Sequence, residues 1–292
     1  MKKSKIIIPA LGMLILSTAA SVTGTVAWFT TVSSANASIT SFAVRKLGGD
    51  LSYTVAAGTG TEKVEPDNPK SSIQLAGTNP ALCDASYNHA TGYVWKANSN
   101  ATSFTRIDDE ADWDVAGTGQ VTYYAVSWTY TFTYAFGGDT TAMNLYFDSA
   151  ASSVTVMSSV AGTNSYQTYR GFRIAFVNTA ASRKVVWAKN QANAECNYVV
   201  AANDQSGAYS NVNSTSVAGD LIDSSNMTAI AENSTGTIAR ADYLGQFTSG
   251  SNTVTIKCVA WFDGTDENVV NGSRMDTVQA ALTFYTRPLA AA

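Results

Sequence analysis

The stretch Val121–Phe136 reads VTYYAVSWTYTFTYAF, and its alternation of large and small side chains decides the fold class. Every second residue from Tyr124 to Phe136 is aromatic except for one valine, and the residues between them are all Ala, Ser or Thr. A period of two over about 16 residues predicts a β-strand, because successive side chains of a strand point to opposite faces. We expect the aromatic face to meet a core and the opposite face to meet water or another sheet.

The same strand signals recur along most of the chain, in short segments that turn-forming residues separate. Short strands at this spacing predict an all-β fold, an antiparallel jelly-roll-like β-sandwich with long loops and at most one or two short helices. The best helix candidates are Asp220–Ala231 and Asn268–Met275. Gly58–Asn79, apart from a short strand at Ser72–Leu75, and Ala202–Ser216 are predicted loops, because they are rich in turn-forming residues.

The N-terminus carries the pattern of a secretory signal peptide. Three lysines within the first five residues precede an apolar run, Ile6–Leu16, and small residues follow. This pattern predicts that a signal peptidase removes residues 1–27, cleaving between Ala27 and Trp28, and that the chain is secreted. Cleavage at Ala35–Ala37 and an uncleaved anchor remain alternatives, although the apolar run is shorter than the about 20 residues that a membrane helix needs.

The charge of the chain disfavours two kinds of partner. The formal net charge is −4, and it becomes −7 when the three N-terminal lysines are removed. A chain without a basic patch cannot neutralise a phosphate backbone, so we expect no nucleic-acid partner. The same acidity disfavours docking on anionic membranes, and we expect no stable membrane insertion after cleavage.

Cysteine and histidine are too few for several kinds of site. Cys83, Cys196 and Cys258 allow at most one disulfide. The preferred pairing is Cys196–Cys258, because both lie beside strand-like segments, and three buried thiols are the alternative. His89 is the one histidine, which excludes a zinc site of the H-E-x-x-H type. Without a G-x-S-x-G turn or a distinguished pair of carboxylates, we expect a non-enzymatic protein.

Four acidic residues alternate along one segment, namely Asp108, Glu110, Asp112 and Asp114. In an extended chain they would share one face, where a Ca²⁺ ion would relieve their repulsion. The EF-hand pattern fails, because Trp113 and Gly119 occupy the positions of its glycine and its glutamate. A solvated acidic loop is the favoured interpretation, and Ca²⁺ at these four residues is the one cofactor considered.

Two segments together resemble a known family. Near the N-terminus, Gly24–Thr30 (GTVAWFT) is followed by a polar stretch and by the strand-like Ile39–Phe42. Near the C-terminus, Val254–Asp266 (VTIKCVAWFDGTD) precedes a last strand at Asp276–Phe284. This arrangement resembles the camelysin/TasA-like family, secreted proteins that an ER-type signal peptidase cleaves near a small-aromatic sequence such as Ala27–Thr30.

The resemblance implies a jelly-roll β-sandwich that polymerises into extracellular or biofilm-matrix fibres. In such fibres the freed N-terminal strand of one subunit enters the next subunit, and this donor-strand complementation draws its affinity from backbone hydrogen bonds. A head-to-tail contact of this kind does not close, and it therefore gives a filament. The donor implied here is residues 28–44, ahead of a single sandwich domain at 45–292, with the anchors Trp28, Ile39, Phe42 and Val44.

The leading hypothesis is a secreted, non-enzymatic subunit whose partner is a second copy of itself, in a head-to-tail homopolymer. The alternative is a monomeric surface jelly roll that binds glycan or Ca²⁺ through the loops 108–114 and 263–268. A secreted hydrolase is the third hypothesis. A filament subunit needs its N-terminal segment to assemble, a binding module is stabilised by its ligand, and a hydrolase needs a reactive side chain.

Overall fold

The fold is almost entirely β. The computed structural model describes residues 34–45, 50–64, 72–76, 81–88, 92–97, 104–115, 122–158, 171–181, 183–188, 196–203, 206–212, 216–217, 221–223, 230–233, 236–238, 242–263 and 277–288. Strands account for most of these residues, together with a 3₁₀ turn at Glu110–Asp112, so the all-β prediction is confirmed. Within these ranges no helix is long and apolar enough to cross a membrane.

One layer is the terminal sheet, which contains the first and the last of the described strands. Its order is β3 (Thr61–Val64), β4 (Ser72–Leu75), β1 (Ser34–Arg45), β22 (Thr277–Pro288), β10 (Met143–Phe147) and β20 (Tyr243–Phe247). A further strand, β11 (Ser153–Ser158), continues the line of β10 along β22. All of these pairs are antiparallel except β1–β22, which is parallel. The two ends of the described chain are therefore neighbours within one sheet.

The other layer is the aromatic sheet, which contains the strand with the alternating aromatic residues. Its order is β2 (Asp50–Ala57), β9 (Val126–Ala135), β21 (Thr253–Asp263), β12 (Phe172–Asn178), β13 (Arg183–Trp187), β17 (Leu221–Asp223) and β16 (Ser216–Val217), and all pairs are antiparallel.

The two sheets pack face to face through aromatic side chains. The ring of Phe147 in β10 lies 4.5 Å from that of Phe176 in β12, and Phe284 in β22 lies 5.1 Å from Phe132 in β9, measured between ring centroids. Contacts between sheets at this distance bury apolar surface from both sides and stabilise the sandwich through the hydrophobic effect. The β-sandwich prediction is therefore confirmed, and the core lies between these two layers.

The aromatic parity of β9 is confirmed, but the strand is shorter than predicted. Trp128, Tyr130 and Phe132 are at most 1% exposed and belong to the core between the sheets. The predicted strand does not run without interruption from Val121. Thr122–Tyr123 forms the separate strand β8, and the next two residues belong to neither β8 nor β9. Tyr124 packs against a second apolar cluster on the far side of the sheet.

A cover layer lies over part of the outer face of the aromatic sheet. It consists of the antiparallel strands β5 (Ala81–Asn88), β6 (Tyr93–Ala97) and β7 (Phe104–Ile107), together with the 3₁₀ turn. The second apolar cluster joins this layer to the sheet, and the ring of Tyr87 lies 5.0 Å from Trp261 and 6.0 Å from Trp113. Among the described residues, three layers are therefore stacked at this position.

Three sequence predictions of local structure were wrong within the described ranges. The predicted helix Asp220–Ala231 contains β17, which pairs with β13, and its end enters β18 (Ile230–Asn233), which pairs with β19 (Gly236–Ile238). The predicted loop Ala202–Ser216 contains β15 (Ser206–Val212), which pairs with β14 (Cys196–Asn203). The predicted loop Gly58–Asn79 contains β3 as well as β4. The helix candidate Asn268–Met275 lies outside the described residues.

Candidate functional site

The N-terminal strand lies in the interior of the terminal sheet and not at its edge. Nine residues of β1 pair in parallel with β22, from Asn36 opposite Thr277 to Arg45 opposite Tyr285. On its other side β1 pairs with β4 at Ile39 and with β5 at Ser34 and Ala35. Because parallel pairs of this kind join strands from opposite ends of the chain, the position of β1 does not depend on a tight local turn.

Three of the four predicted anchors share register with core residues of β22. Ile39, Phe42 and Val44 are the register partners of Ala280, Leu282 and Phe284 respectively. Each of those β22 residues is at most 1% exposed and belongs to the core between the two sheets. The fourth anchor, Trp28, and the predicted cleavage position at Ala27 lie outside the described residues.

A β-bulge at Thr40 explains an irregular spacing in the sequence. Ile39 and Phe42 are three residues apart, and a regular strand would place them on opposite faces. In the ladder Ile39 pairs with Ala280 and Ser41 with Ala281, so that Thr40 is an extra residue without a register partner on β22. The bulge therefore restores Ile39 and Phe42 to successive core-facing register positions of β22.

The partner strand β22 is anchored in the core by Phe284. Its ring lies 5.1 Å from Phe132, 5.4 Å from Phe147 and 5.7 Å from Phe176, all measured between centroids. Aromatic pairs at such distances contribute about 0.5–1.5 kcal/mol each beyond the area they bury. The position of β22, the strand with which β1 pairs, is therefore fixed by contacts that do not involve β1.

Within the single chain β1 completes the sheet of its own subunit. The family resemblance implied that residues 28–44 enter a neighbouring subunit, so the described position differs from the implied one. Residues 46–49 (Lys-Leu-Gly-Gly) join β1 to β2, which belongs to the other sheet.

The acidic segment does not gather its carboxylates around one point. Asp108 pairs with Arg106, and Glu110 contacts both Ser127 and Lys257. Asp112 is exposed, and Asp114 forms an isolated bridge with Tyr123. In the described part of the chain no group of three or more His, Cys, Asp or Glu residues is arranged to hold a metal ion. The weak Ca²⁺ prediction at these residues thus gains no support from the geometry.

The structure brings Ser127, Glu110 and Lys257 together, an arrangement that the sequence analysis missed. The Ser127 hydroxyl donates to Glu110 and accepts from the backbone N–H of Thr59 at 3.1 Å, while the Lys257 amine donates to the other oxygen of Glu110. The lysine also lies over the ring of Trp113, 5.7 Å from its centroid. Ser127 is only 2% exposed, so a substrate cannot reach its hydroxyl, and the arrangement holds the cover layer on the sheet.

The preferred disulfide is wrong. Cys258 is a free, buried thiol, and Cys83 is buried as well, so the burial of these two residues agrees with the alternative interpretation. Cys258 lies in the core of the aromatic sheet, where burial raises the pKa of its thiol well above the ordinary value of 9.0. A thiol that stays protonated in an apolar environment is a poor nucleophile and a poor metal ligand. His89 lies outside the described residues.

The candidate site is therefore the interior strand position beside β22. Comparisons of the chain with protein-family models, with curated proteins and with solved structures find no match.

Proposed function

We propose that this protein is a secreted, non-enzymatic structural subunit that forms extracellular filaments by exchanging β1 between identical copies. The observation that carries the proposal is the interior position of β1, a strand at one end of the described chain that pairs in parallel with the strand at the other end. A second copy of β1 would find the same nine register partners and the same core residues beneath them.

Exchange of this kind costs little free energy, because the contacts of the single chain are reproduced between subunits. If β1 leaves, one side of β22 loses its hydrogen-bonding partner along the ladder, and an unpaired strand edge favours pairing with another chain. Each subunit would then donate one strand and accept one strand through different surfaces. That contact is heterologous and stays open at both ends, so it propagates as a filament.

Other features support secretion and a jelly-roll topology without depending on the exchange. The lysine-flanked apolar run and the small residues before Trp28 have the pattern of a cleaved signal peptide. An antiparallel sandwich with many short strands is the architecture in which jelly rolls are built. The buried position of Ser127 argues for a structural role and against catalysis at that residue.

The sharpest test locks β1 in its own subunit with a disulfide. Ala43 and Thr283 are register partners, and cysteines at both positions would join β1 to β22 of the same chain. The native cysteines are first replaced (Cys83→Ala, Cys196→Ser, Cys258→Ala), and the chain begins at Trp28. We expect the oxidised Ala43→Cys, Thr283→Cys variant to remain monomeric and the reduced variant to form filaments in negative-stain electron microscopy.

A matched control locks a pair of strands that the proposal does not exchange. Ser52 in β2 and Thr133 in β9 are register partners in the aromatic sheet, and a disulfide between cysteines at these positions should leave assembly unchanged. Filaments of the oxidised β1-locked variant, with the intrachain bond verified by mass spectrometry, would refute the exchange. An unlocked chain that stays monomeric at every concentration would favour the monomeric surface module instead.

A further inference from the structure

A groove of about 560 Å³ lies on the outer face of the aromatic sheet, beyond the edge of the cover layer. Its floor is formed by residues of β9 and β21, and its walls by the β12–β13 turn on one side and by β20 on the other. Ligand sites in proteins commonly have volumes of about 300–1,000 Å³. We call this feature the threonine groove, after the floor residues Thr129, Thr253 and Thr255.

The floor belongs to a regular array of small hydroxyl-bearing residues. In the register of β9 and β21, Thr133 lies opposite Thr253 and Thr131 opposite Thr255. Ser52 and Thr54 of β2 extend these two rows by one strand. Neighbouring strands are about 4.8 Å apart and alternate residues along a strand about 6.8 Å apart, so the hydroxyl groups form a flat grid.

The floor hydroxyls differ from other threonine hydroxyls of the molecule in their bonding. Thr61 donates to the carbonyl of Ser127 at 2.6 Å, and Thr283 donates to the carbonyl of Ala151 at 3.3 Å. Among the described residues, by contrast, the side chains of Thr129, Thr253 and Thr255 have no hydrogen-bond partner in the protein. Their hydroxyl groups face the groove and can both donate to and accept from a ligand.

The wall at β20 contains Tyr243 and Gln246, the register partners of Tyr146 and Asn144 in β10, and the Tyr243 ring lies 5.9 Å from that of Tyr146, measured between centroids. The backbone carbonyl of Tyr243 accepts from Arg183 at 3.2 Å, and the guanidinium group of that arginine lies 5.8 Å from the centroid of the Tyr243 ring. The amide nitrogen of Gln246 donates to Asn144 at 3.0 Å. A fixed ring and a fixed amide reduce the entropy that a ligand must overcome on binding.

The charge of the lining selects among ligands that carry hydroxyl groups. Lys257 is the one charged side chain of the lining, and its amine already contacts the carboxylate of Glu110. The lining is therefore close to neutral, and the chain as a whole carries a net charge of −4. An anionic polymer would find no uncompensated cation in the lining and would be repelled at long range.

We propose that the threonine groove binds a neutral polysaccharide. The threonine methyl groups and the Tyr243 ring would contact the C–H faces of the sugar rings, while the threonine hydroxyls and the Gln246 amide would exchange hydrogen bonds with sugar hydroxyls. The grid continues beyond the groove toward β2, so an extended chain of sugars fits the site better than a single ring does. None of the lining residues belongs to β1 or to β22.

The test uses the β1-locked monomer, so that failure of the filament proposal and failure of this one remain distinguishable. Its affinity for dextran, laminarin and chitohexaose is measured by isothermal titration calorimetry, with alginate as an anionic probe. We expect binding to at least one neutral probe. The Thr253→Val, Thr255→Val double variant and the Tyr243→Ala variant should each lose affinity by about tenfold or more.

The matched control is Thr155→Val, which changes an exposed threonine of β11 outside the groove and should leave the affinity unchanged. Thermal melts verify that each variant is folded. Absence of binding to all three neutral probes would overturn the proposal. So would a folded double variant that binds as tightly as the parent chain, or preferential binding of alginate that Lys257→Met abolishes.

Discussion

The aromatic sheet and the terminal sheet are fixed in different ways, although they share one core. In the aromatic sheet, β9 supplies a continuous row of buried side chains, among them Trp128, Tyr130 and Phe132. In the terminal sheet the interior position beside β22 is occupied by a strand from the other end of the chain. The comparison teaches that the first sheet is built around a strand with its own buried row, whereas the second depends on a strand that, under the proposed exchange, another copy of the chain would supply.

The largest expected effect comes from removing a ring that both sheets share. Phe132→Ala should lower the free energy of unfolding by about 3–5 kcal/mol, because Phe132 is fully buried and its ring contacts those of Phe284 and Tyr130. Urea denaturation of the monomer measures this loss. Thr131→Ala, on the outer face of the same strand, is the control and should cost much less. A loss below about 1 kcal/mol for Phe132→Ala would contradict the shared core.

The next effect concerns assembly more than folding. Phe42→Asp places a carboxylate at the register position of Leu282, which is 1% exposed. A carboxylate on the strand that pairs with these core residues of β22 should weaken the pairing, so the concentration required for filament formation should rise by roughly 30-fold, equivalent to about 2 kcal/mol. Sedimentation of polymer across a concentration series measures the change. Ser41→Asp, at the adjacent register position opposite Ala281, is the control, and an equal effect of both would refute the assigned register.

Alkaline pH should weaken the aromatic sheet. Burial raises the pKa of the Cys258 thiol well above 9.0 and that of the Tyr130 phenol well above 10.0. The folded state therefore retains two protons that the unfolded chain releases, and the free energy of unfolding should fall as pH rises above about 9. The slope is at most about 1.4 kcal/mol per pH unit for each group.

Urea midpoints at pH 8 to 11 measure the alkaline effect, and Cys258→Ala is the matched variant. It should reduce the slope of the decline from about pH 9 upward by the share of the thiol, and the decline that remains should begin near pH 10, where Tyr130 titrates in the unfolded chain. A decline that the variant leaves unaltered throughout would show that the Cys258 thiol does not contribute.

A smaller effect tests the bulge in β1. Deleting Thr40 removes the extra residue, and Ile39 and Phe42 keep their register partners on β22, so stability and assembly should change by less than about 0.5 kcal/mol. Deleting Ala43 instead shifts Val44 by one position, away from the register of Phe284, and should impair assembly clearly. Electron microscopy and melting temperature compare the two deletions. Equal damage from both would contradict the bulge.

The smallest effect concerns the attachment of the cover layer. Glu110 and Lys257 contact each other while their side chains remain 31% and 43% exposed, so their coupling should be about 0.2–1 kcal/mol. A double-mutant cycle with Glu110→Gln and Lys257→Met, followed by urea denaturation, measures this energy. The coupling should decrease at 1 M salt, where charges on exposed groups are screened. A value independent of salt would indicate packing on Trp113 instead of the ion pair.

The sequence predicted the strand β9 well because its signals are local, whereas β17 of the same sheet was predicted as a helix. The period of two in β9 and the turn after it can be recognised without knowing any partner strand, and Gly137 and Gly138 do adopt the positive φ angles of a tight turn, +60° and +96°. The break before Val126 was not predicted, because Tyr124 continues the aromatic alternation while packing on a different cluster. The alternation of large and small side chains cannot by itself show which of the two apolar clusters a residue joins.

The terminal sheet and the cover layer were harder to predict, because their determinants are distant in sequence. Nothing within β1 indicates that it pairs in parallel with β22, and the bulge at Thr40 is visible only when the two strands are aligned. One residue in the sequence did indicate the cover layer. Trp113 is a large apolar side chain inside an acidic segment and is 2% exposed, so the burial of its ring, and not the carboxylates around it, decides where the segment lies.

If β1 is exchanged as proposed, the short connection between β1 and β2 would limit the mechanical character of the filament. Residues 46–49 separate the last residue of β1 from the first residue of β2 by five peptide steps, which span at most about 18 Å when fully extended. A donated strand must therefore enter a groove whose end lies within that reach of its own subunit. Consecutive subunits would have to be in close contact, so the fibre should resist bending and stretching more than beads joined by long flexible linkers do.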